Sequence, residues 1–464
     1  PEVIAPAGGE EALRAAIEDK CAACHMPIAR LTAAAEGRAG AVFAHLRFAP
    51  GCGEEDALAV DGVSCAMCHQ ITAAKLGTRE SFSAGFTAGA PAPSGADAVF
   101  GPFEIDRGRA RVMRSSSTFE PVEAAHLQKS AFCAVCHTLF TESLGPDGEV
   151  LAVFPEQVPY LEWRHSAYRD AQECQSCHMP EVAMPAPVAS VLARPHPDVS
   201  RHVFRGGNFQ MARIFNLYRR ELNVAAAPGS LAAVEHATLE HLSAYAARVS
   251  IGAPVLSAER LDFEVVVENL AGHKLPTAYP SRRAWLMTTV RDRTGKTVFA
   301  SGALNEDGSI AGNDNDADGG RYEPHYREVT RPDQVQIYET IMADQRGAVT
   351  TGLLSAVGYV KDNRLLPEGF GMPAAGKDIA VRGAAAEDPD FKDGGDKVRY
   401  SAAVDPAGAP FTIEAALWYQ SIGFRWAHNL AGRGAAETDR FVECYRATAR
   451  HSATKLAADQ RTAP

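Results

Sequence analysis

The sequence predicts a multidomain chain: a mostly helical or irregular N-terminal domain, then a C-terminal antiparallel β-sandwich of immunoglobulin-like type. Three observations carry this. Cys-X-X-Cys-His occurs four times between residues 21 and 178, as Cys21-Ala-Ala-Cys24-His25, Cys65-Ala-Met-Cys68-His69, Cys133-Ala-Val-Cys136-His137 and Cys174-Gln-Ser-Cys177-His178. The same region is rich in Ala, Gly and Pro and has little strand alternation. After residue 255 the texture changes to β-branched and aromatic runs separated by Gly, Asp and Pro.

The repeated motif is the attachment site of c-type haem. Two thiols add to the vinyl groups, and the adjoining His takes one axial position on the iron. A single copy is compatible with half a zinc site; four copies, each closed by His, are not. The first 229 residues are therefore read as a tetrahaem cytochrome c domain in which the haems supply the core. Cys21, Cys24, Cys65, Cys68, Cys133, Cys136, Cys174 and Cys177 are the attachment residues, and His25, His69, His137 and His178 the proximal ligands.

Within this domain Ala84–Phe103 reads as a long loop and Glu123–His137 as one helix that delivers the third motif. Residues 230–254 read as a linking segment, with an amphipathic helix over 230–250 capped by Ser230. The β-sandwich is expected over 255–434. Its strands are Leu261–Leu270, Ala284–Asp292, Lys296–Ala300, Gln334–Met342, Lys397–Val404 and Phe411–Tyr419. Residues 435–464 read as a helical tail with a polar, mobile end.

Each iron needs a second axial donor or stays open for chemistry. Fifteen His less the four in the motifs leave eleven. His126 lies seven residues before Cys133 and would share its face on a continuous helix. His45 sits in an apolar setting, AVFAHLRF. His273 stands at a turn between a strong strand and Pro276, and His165 follows Trp163-Arg164. With His202, these are the distal candidates. Met26 and Met179 directly follow proximal His residues and cannot easily reach the opposite haem face.

Other features bound the chemistry. Asp314-Asn-Asp316-Ala-Asp318-Gly matches the first half of a calcium loop, but the closing Glu is missing. Ten Cys less eight thioethers leave Cys52 and Cys444, a possible disulfide pair in an oxidising compartment. Arg282 and Arg283 are candidate partners for haem propionates. The net charge of −11 argues against nucleic acid. It permits redox partner proteins or like subunits. No apolar run reaches the roughly 18 residues of a bilayer span. Covalent haem attachment belongs outside the cytoplasm, so a mature periplasmic or extracellular form with its export signal removed is expected.

Further segments carry a family resemblance. They are Val63-Ser64-Cys65 through Ile71, Phe100-Gly101-Pro102, His126 with Ser130-Ala131-Phe132-Cys133, Cys174 through Pro180, and the His202 segment Arg201–Asn208. Together they resemble the multihaem c-type cytochrome superfamily that includes hydroxylamine oxidoreductase and its tetrahaem electron acceptor. Asn269–Thr277 with Pro280–Trp285 resembles the opening of a β-domain appended to many members. The resemblance implies a haem relay and marks His202 as a distal ligand. Some tetrahaem relatives polymerise into extracellular cytochrome filaments. The expectation is electron transfer through four bis-His haems, rather than an enzyme; as a filament subunit the chain would form a homopolymer. The alternative is an oxidoreductase of a small nitrogen or sulfur compound with one open haem.

Overall fold

A computed structural model describes residues 10–45, 54–145 and 149–464. The chain divides into two compact units. The first comprises Pro1–Phe140, Leu144–Val150 and Gln172–Phe204; the second comprises Thr141–Ser143, Leu151–Ala171 and Arg205–Pro464. All four motifs lie in the first unit. The second takes in Leu151–Ala171 and Arg205–Pro464, so it begins well before the strand-rich texture at residue 255.

The first unit is short helices and irregular chain. Its helices include Glu10–His25, Pro27–Ala35, Cys65–Cys68, Arg107–Ser117, Ser130–His137 and Cys174–His178. Many of its buried apolar residues are alanines, among them Ala22, Ala33, Ala59, Ala92, Ala98 and Ala134. Such side chains bury little apolar area, which leaves the unit poor in hydrophobic stabilisation for its length. Two β-pairings brace it. Ala98–Gly101 runs parallel to Glu120–Glu123, and Ala186–Pro187 pairs antiparallel with Pro195–His196.

The second unit has two five-stranded sheets. In one, the order is Thr297–Ser301, Arg283–Arg291, Phe411–Gln420, Ala453–Ala463, with Ile337–Tyr338 added beside Arg283–Arg291. In the other, the order is Glu328–Val329, Gly395–Ala403, Arg260–Asn269, Ala247–Ile251, with Val255–Ser257 beside Arg260–Asn269. Only Glu328–Val329 pairs in parallel. Arg260–Asn269 alternates cleanly: Leu261, Phe263, Val265 and Val267 are buried. This is the period-2 pattern of a strand with one packed face. Side chains from the two sheets meet, with the Phe299 and Tyr400 rings 6.4 Å apart. Thr340–Asp344 anchors a third, three-stranded sheet.

Several sequence expectations need correction. Glu123–His137 is not one helix. A strand ends at Glu123, a 3₁₀ turn spans Ala125–Gln128, and a new helix starts at Ser130. Lys129 between them is extended, at φ −107° and ψ 140°, so His126 and Cys133 share no helix face. The loop Ala84–Phe103 contains the strand Ala98–Gly101. The linking helix is Pro228–Tyr245, opened by Pro228 rather than capped by Ser230. Val249 belongs to the next strand, Ala247–Ile251. Gln334–Met342 is broken at Glu339. The tail is helical only over Ala436–Thr448; Ala453–Ala463 is an eleven-residue strand paired with Phe411–Gln420. Among the described residues no helix is long and apolar enough to cross a membrane.

Candidate haem-binding site

Each Cys-X-X-Cys sits on a helix, and its His is the last helical residue or the one after it. His25, His137 and His178 end their helices, and His69 caps Cys65–Cys68. Positions three and four apart share a helix face, so both sulfurs and the His ring leave each helix on one side.

The motifs converge although they are far apart in sequence. The thiols of Cys133 and Cys174 lie close enough to perturb each other, as do those of Cys136 and Cys24. Cys68 lies close enough to act electrostatically on both Cys133 and Cys136. The nearby Cys174 thiol, then burial, pushes the Cys133 thiol well up. Cys136 is pushed up the same way by Cys24 and burial. One representative of every motif is thus in a single cluster.

The second motif has the most defined surroundings. His69 Nδ1 lies 2.6 Å from the Phe100 carbonyl, so Nδ1 carries the proton and donates. The Phe100 amide in turn donates to the His69 carbonyl at 2.7 Å. This double clamp fixes the ring and leaves the lone pair on Nε2, the arrangement metal-bound His residues adopt. The parallel pairing of Ala98–Gly101 with Glu120–Glu123 holds Phe100 in place.

His202 lies next to His69, with ring centroids 6.1 Å apart and planes at 29°. A haem held by the second motif would take His69 as one ligand and would find a second imidazole nearby in His202. His202 is carried there by the chain after the fourth motif. That chain leaves at Pro180, pairs back on itself through Val182 N–H to the Val199 carbonyl at 2.9 Å, and returns with Arg201 N–H on the Pro180 carbonyl at 3.0 Å. His126 is also adjacent. Its ring meets Phe100 edge-on at 5.3 Å, and Nε2 lies 2.8 Å from the Ile71 carbonyl.

The other distal candidates sit elsewhere. His45 closes a turn pinned to the first helix, where Glu18 accepts the Val42 and Phe43 amides at 2.8 and 3.1 Å. His165 and His273 both belong to the second unit. His165 Nε2 is 2.9 Å from the Gly371 carbonyl, and His273 Nδ1 is 3.0 Å from the Lys274 carbonyl.

The calcium expectation meets a different geometry. Asp314–Ala317 is a helical turn. Buried Asp316 is paired with Arg283 at 2.8 Å and accepts the Ile310 amide at 2.8 Å. Asp314 pairs with Arg321, and Asp318 accepts the Gly320 amide at 2.9 Å. A cation there would have to displace both guanidinium groups. The same pairing commits Arg283 to the interior of its own unit rather than to a propionate. Cys52 lies outside the described residues, so its pairing with Cys444 does too; Cys444 is a buried thiol.

Among the described residues, His325, Asp388 and Asp396 form the one group of three convergent metal-ligand types. Its hydrogen bonds run against a metal. The side-chain amides of Gln336 and Asn363 both point at His325 Nδ1, at 2.8 and 3.1 Å. Both amides are oriented by other bonds: Gln336 Oε1 accepts the Tyr326 amide, and Asn363 Oδ1 accepts the Glu339 amide. Nδ1 is therefore an acceptor, and the Nε2 proton points at Asp388, 3.2 Å away.

No family model matches the chain, and no curated protein matches it. Among solved structures it is similar to a penta-haem cytochrome c552 from Thermochromatium tepidum. The TM-score is 0.50 at 14% identity, over 96% of this chain and 83% of that one. The chain has a multihaem-cytochrome fold.

The first unit's residues fit haem c. All eight motif Cys and four motif His are present, the His69 ring is fixed by the Phe100 carbonyl, and His202 lies near it. Beside the motifs, three buried polar atoms find no protein partner: Ser64 Oγ, Thr138 Oγ1 and Gln175 Oε1. Sequence reasoning missed the Phe100 carbonyl as support for His69; only the resemblance marked that segment. It also missed Glu173, whose sole signal is its place directly before Cys174.

Proposed function

We propose that this chain is an electron carrier that holds four c-type haems on its four motifs, each closed by two His ligands. The supporting observation is the His69–His202 pair, which brings a second imidazole to 6.1 Å, centroid to centroid, from a motif His. Bound haem supplies a one-electron iron couple whose potential the axial ligands and burial tune. The chain's own residues do the rest. Phe100 holds the His69 proton on Nδ1, the Pro180–Arg201 strap delivers His202, and the interlocked motif helices keep the four sites in one cluster. His126 and His45 are the proposed donors for two of the three remaining sites.

The proposed location is periplasmic or extracellular, with redox proteins as partners or like subunits in a filament. The second unit is proposed to be an immunoglobulin-like sandwich.

The test is a coulometric titration of the holoprotein with carbon monoxide added to the reduced form. Uptake of four electrons per chain with no carbon monoxide spectrum is expected. A haem that binds carbon monoxide would overturn the closed-relay reading in favour of an oxidoreductase.

A further inference from the structure

The third and fourth motifs are joined by an exchange of helix caps. Glu173 precedes Cys174–His178, in the position from which an acidic side chain ordinarily caps its own helix. It makes no such cap. Its Oε2 instead accepts the backbone amide of Ser130 at 2.8 Å and the Ser130 hydroxyl at 2.7 Å, at the start of the third-motif helix. Ser130, fully buried, returns the bond: its Oγ accepts the Cys174 amide at 2.9 Å, at the start of the fourth-motif helix. Each helix is thus capped by a residue from the other motif.

Two further contacts lock the same junction. Gln175 Nε2 donates to the Leu127 and Lys129 carbonyls at 2.8 and 3.1 Å, and Lys129 Nζ reaches Glu173 Oε1 at 3.1 Å. The exchange also explains the break at Lys129. The third helix starts at Ser130 because the cap for that start comes from 43 residues downstream.

We propose that Glu173 and Ser130 are positioning residues that fix the spacing of the third and fourth haems and place a carboxylate between their attachment helices. This rests on the reading that both motifs carry haem. A cap that served folding alone would need no exchange, because a Ser or Asp before each helix would suffice. The exchange makes the two motifs one rigid element. With haem bound at both motifs, a carboxylate between their attachment helices would favour the ferric forms and lower both potentials, an effect the Lys129 ammonium on Glu173 offsets in part.

The experiment compares holoproteins carrying Glu173→Ala, Glu173→Gln, Ser130→Ala and the conservative Glu173→Asp. Readouts are haem count by intact mass, the exciton couplet in Soret circular dichroism, and a redox titration. The expected result is four haems throughout. Glu173→Ala and Glu173→Gln shift two of the four potentials upward, and Glu173→Ala and Ser130→Ala weaken the couplet. Glu173→Asp restores both. Ser130→Ala removes a single hydroxyl, so it keeps the test available should Glu173→Ala fail to accumulate. Potentials and couplet unchanged in Glu173→Gln and Ser130→Ala, with only the melting temperature lowered, would overturn the proposal. Fewer than four haems on the unsubstituted chain would instead sink the parent reading.

Discussion

His202 carries the sharpest test at the scale of single residues. Under the proposed ligation its ring is the second donor to the haem of His69, so His202→Ala should convert one of four haems to high spin and leave the other three. His202→Met should keep that haem low-spin and raise its potential, because thioether ligation favours ferrous iron. Spin quantification by electron paramagnetic resonance checks both, and four unchanged low-spin signals in His202→Ala would remove His202 from the site.

The His325 network yields a second residue-scale prediction. Burial, helped by the Lys361 charge, lowers His325 to about 4. Taken alone, this gives stability that is complete above the ordinary His value and is lost as pH falls toward 4. Burial, with Asp388 adding to it, raises Asp396 to about 7 against the Tyr338 hydrogen bond. Taken alone, this gives stability that is complete below the ordinary carboxylate value and is lost as pH rises to 7. The two contributions share one window with opposite sign and largely cancel. Asp396→Asn keeps an acceptor for Tyr338 but removes the second contribution. Its urea midpoint should therefore fall further below that of the unsubstituted protein at pH 5 than at pH 7. An equal gap at both values would rule this out.

At the scale of elements, the C-terminal strand Ala453–Ala463 is decided by its partner. It pairs with Phe411–Gln420 along its whole length and buries Leu456. Leu456→Ala should cost about 2–5 kcal/mol by cavity formation, whereas Lys455→Ala on the exposed face should stay within about 0.5 kcal/mol. Equal urea midpoints for the two variants would mean the strand is not packed as described. The contrast with Arg260–Asn269 separates what the sequence reveals from what it hides. Leu261-Asp-Phe-Glu-Val declares a strand by β-branched residues and alternation alone. Ala453-Thr-Lys-Leu-Ala-Ala-Asp-Gln does not, because Leu456 is its one buried side chain and only pairing makes it a strand.

The site divides the same way. The motif Cys and His residues were legible, since their chemistry is local in sequence. The break at Lys129, the Phe100 clamp and the Ser130–Glu173 exchange were not, because each joins segments about 30 to 45 residues apart and has a backbone group, which carries no sequence signal, as one partner. His202 was marked by resemblance, and the strap that carries it is held by backbone bonds of the same silent kind.

At the scale of the whole molecule the two units differ: the first, which holds the four motifs, buries mostly small apolar residues, and the β-rich second has a large apolar core. Four His/His irons without Met ligation imply potentials mainly below zero. A redox titration centred well above zero would contradict that ligation. The central claim, that all four irons are closed, is tested most directly by electron paramagnetic resonance of the oxidised holoprotein, with spins counted against four haems by intact mass. The account predicts four low-spin haems and no high-spin signal. One full equivalent of high-spin iron would contradict it and make that haem a site of chemistry.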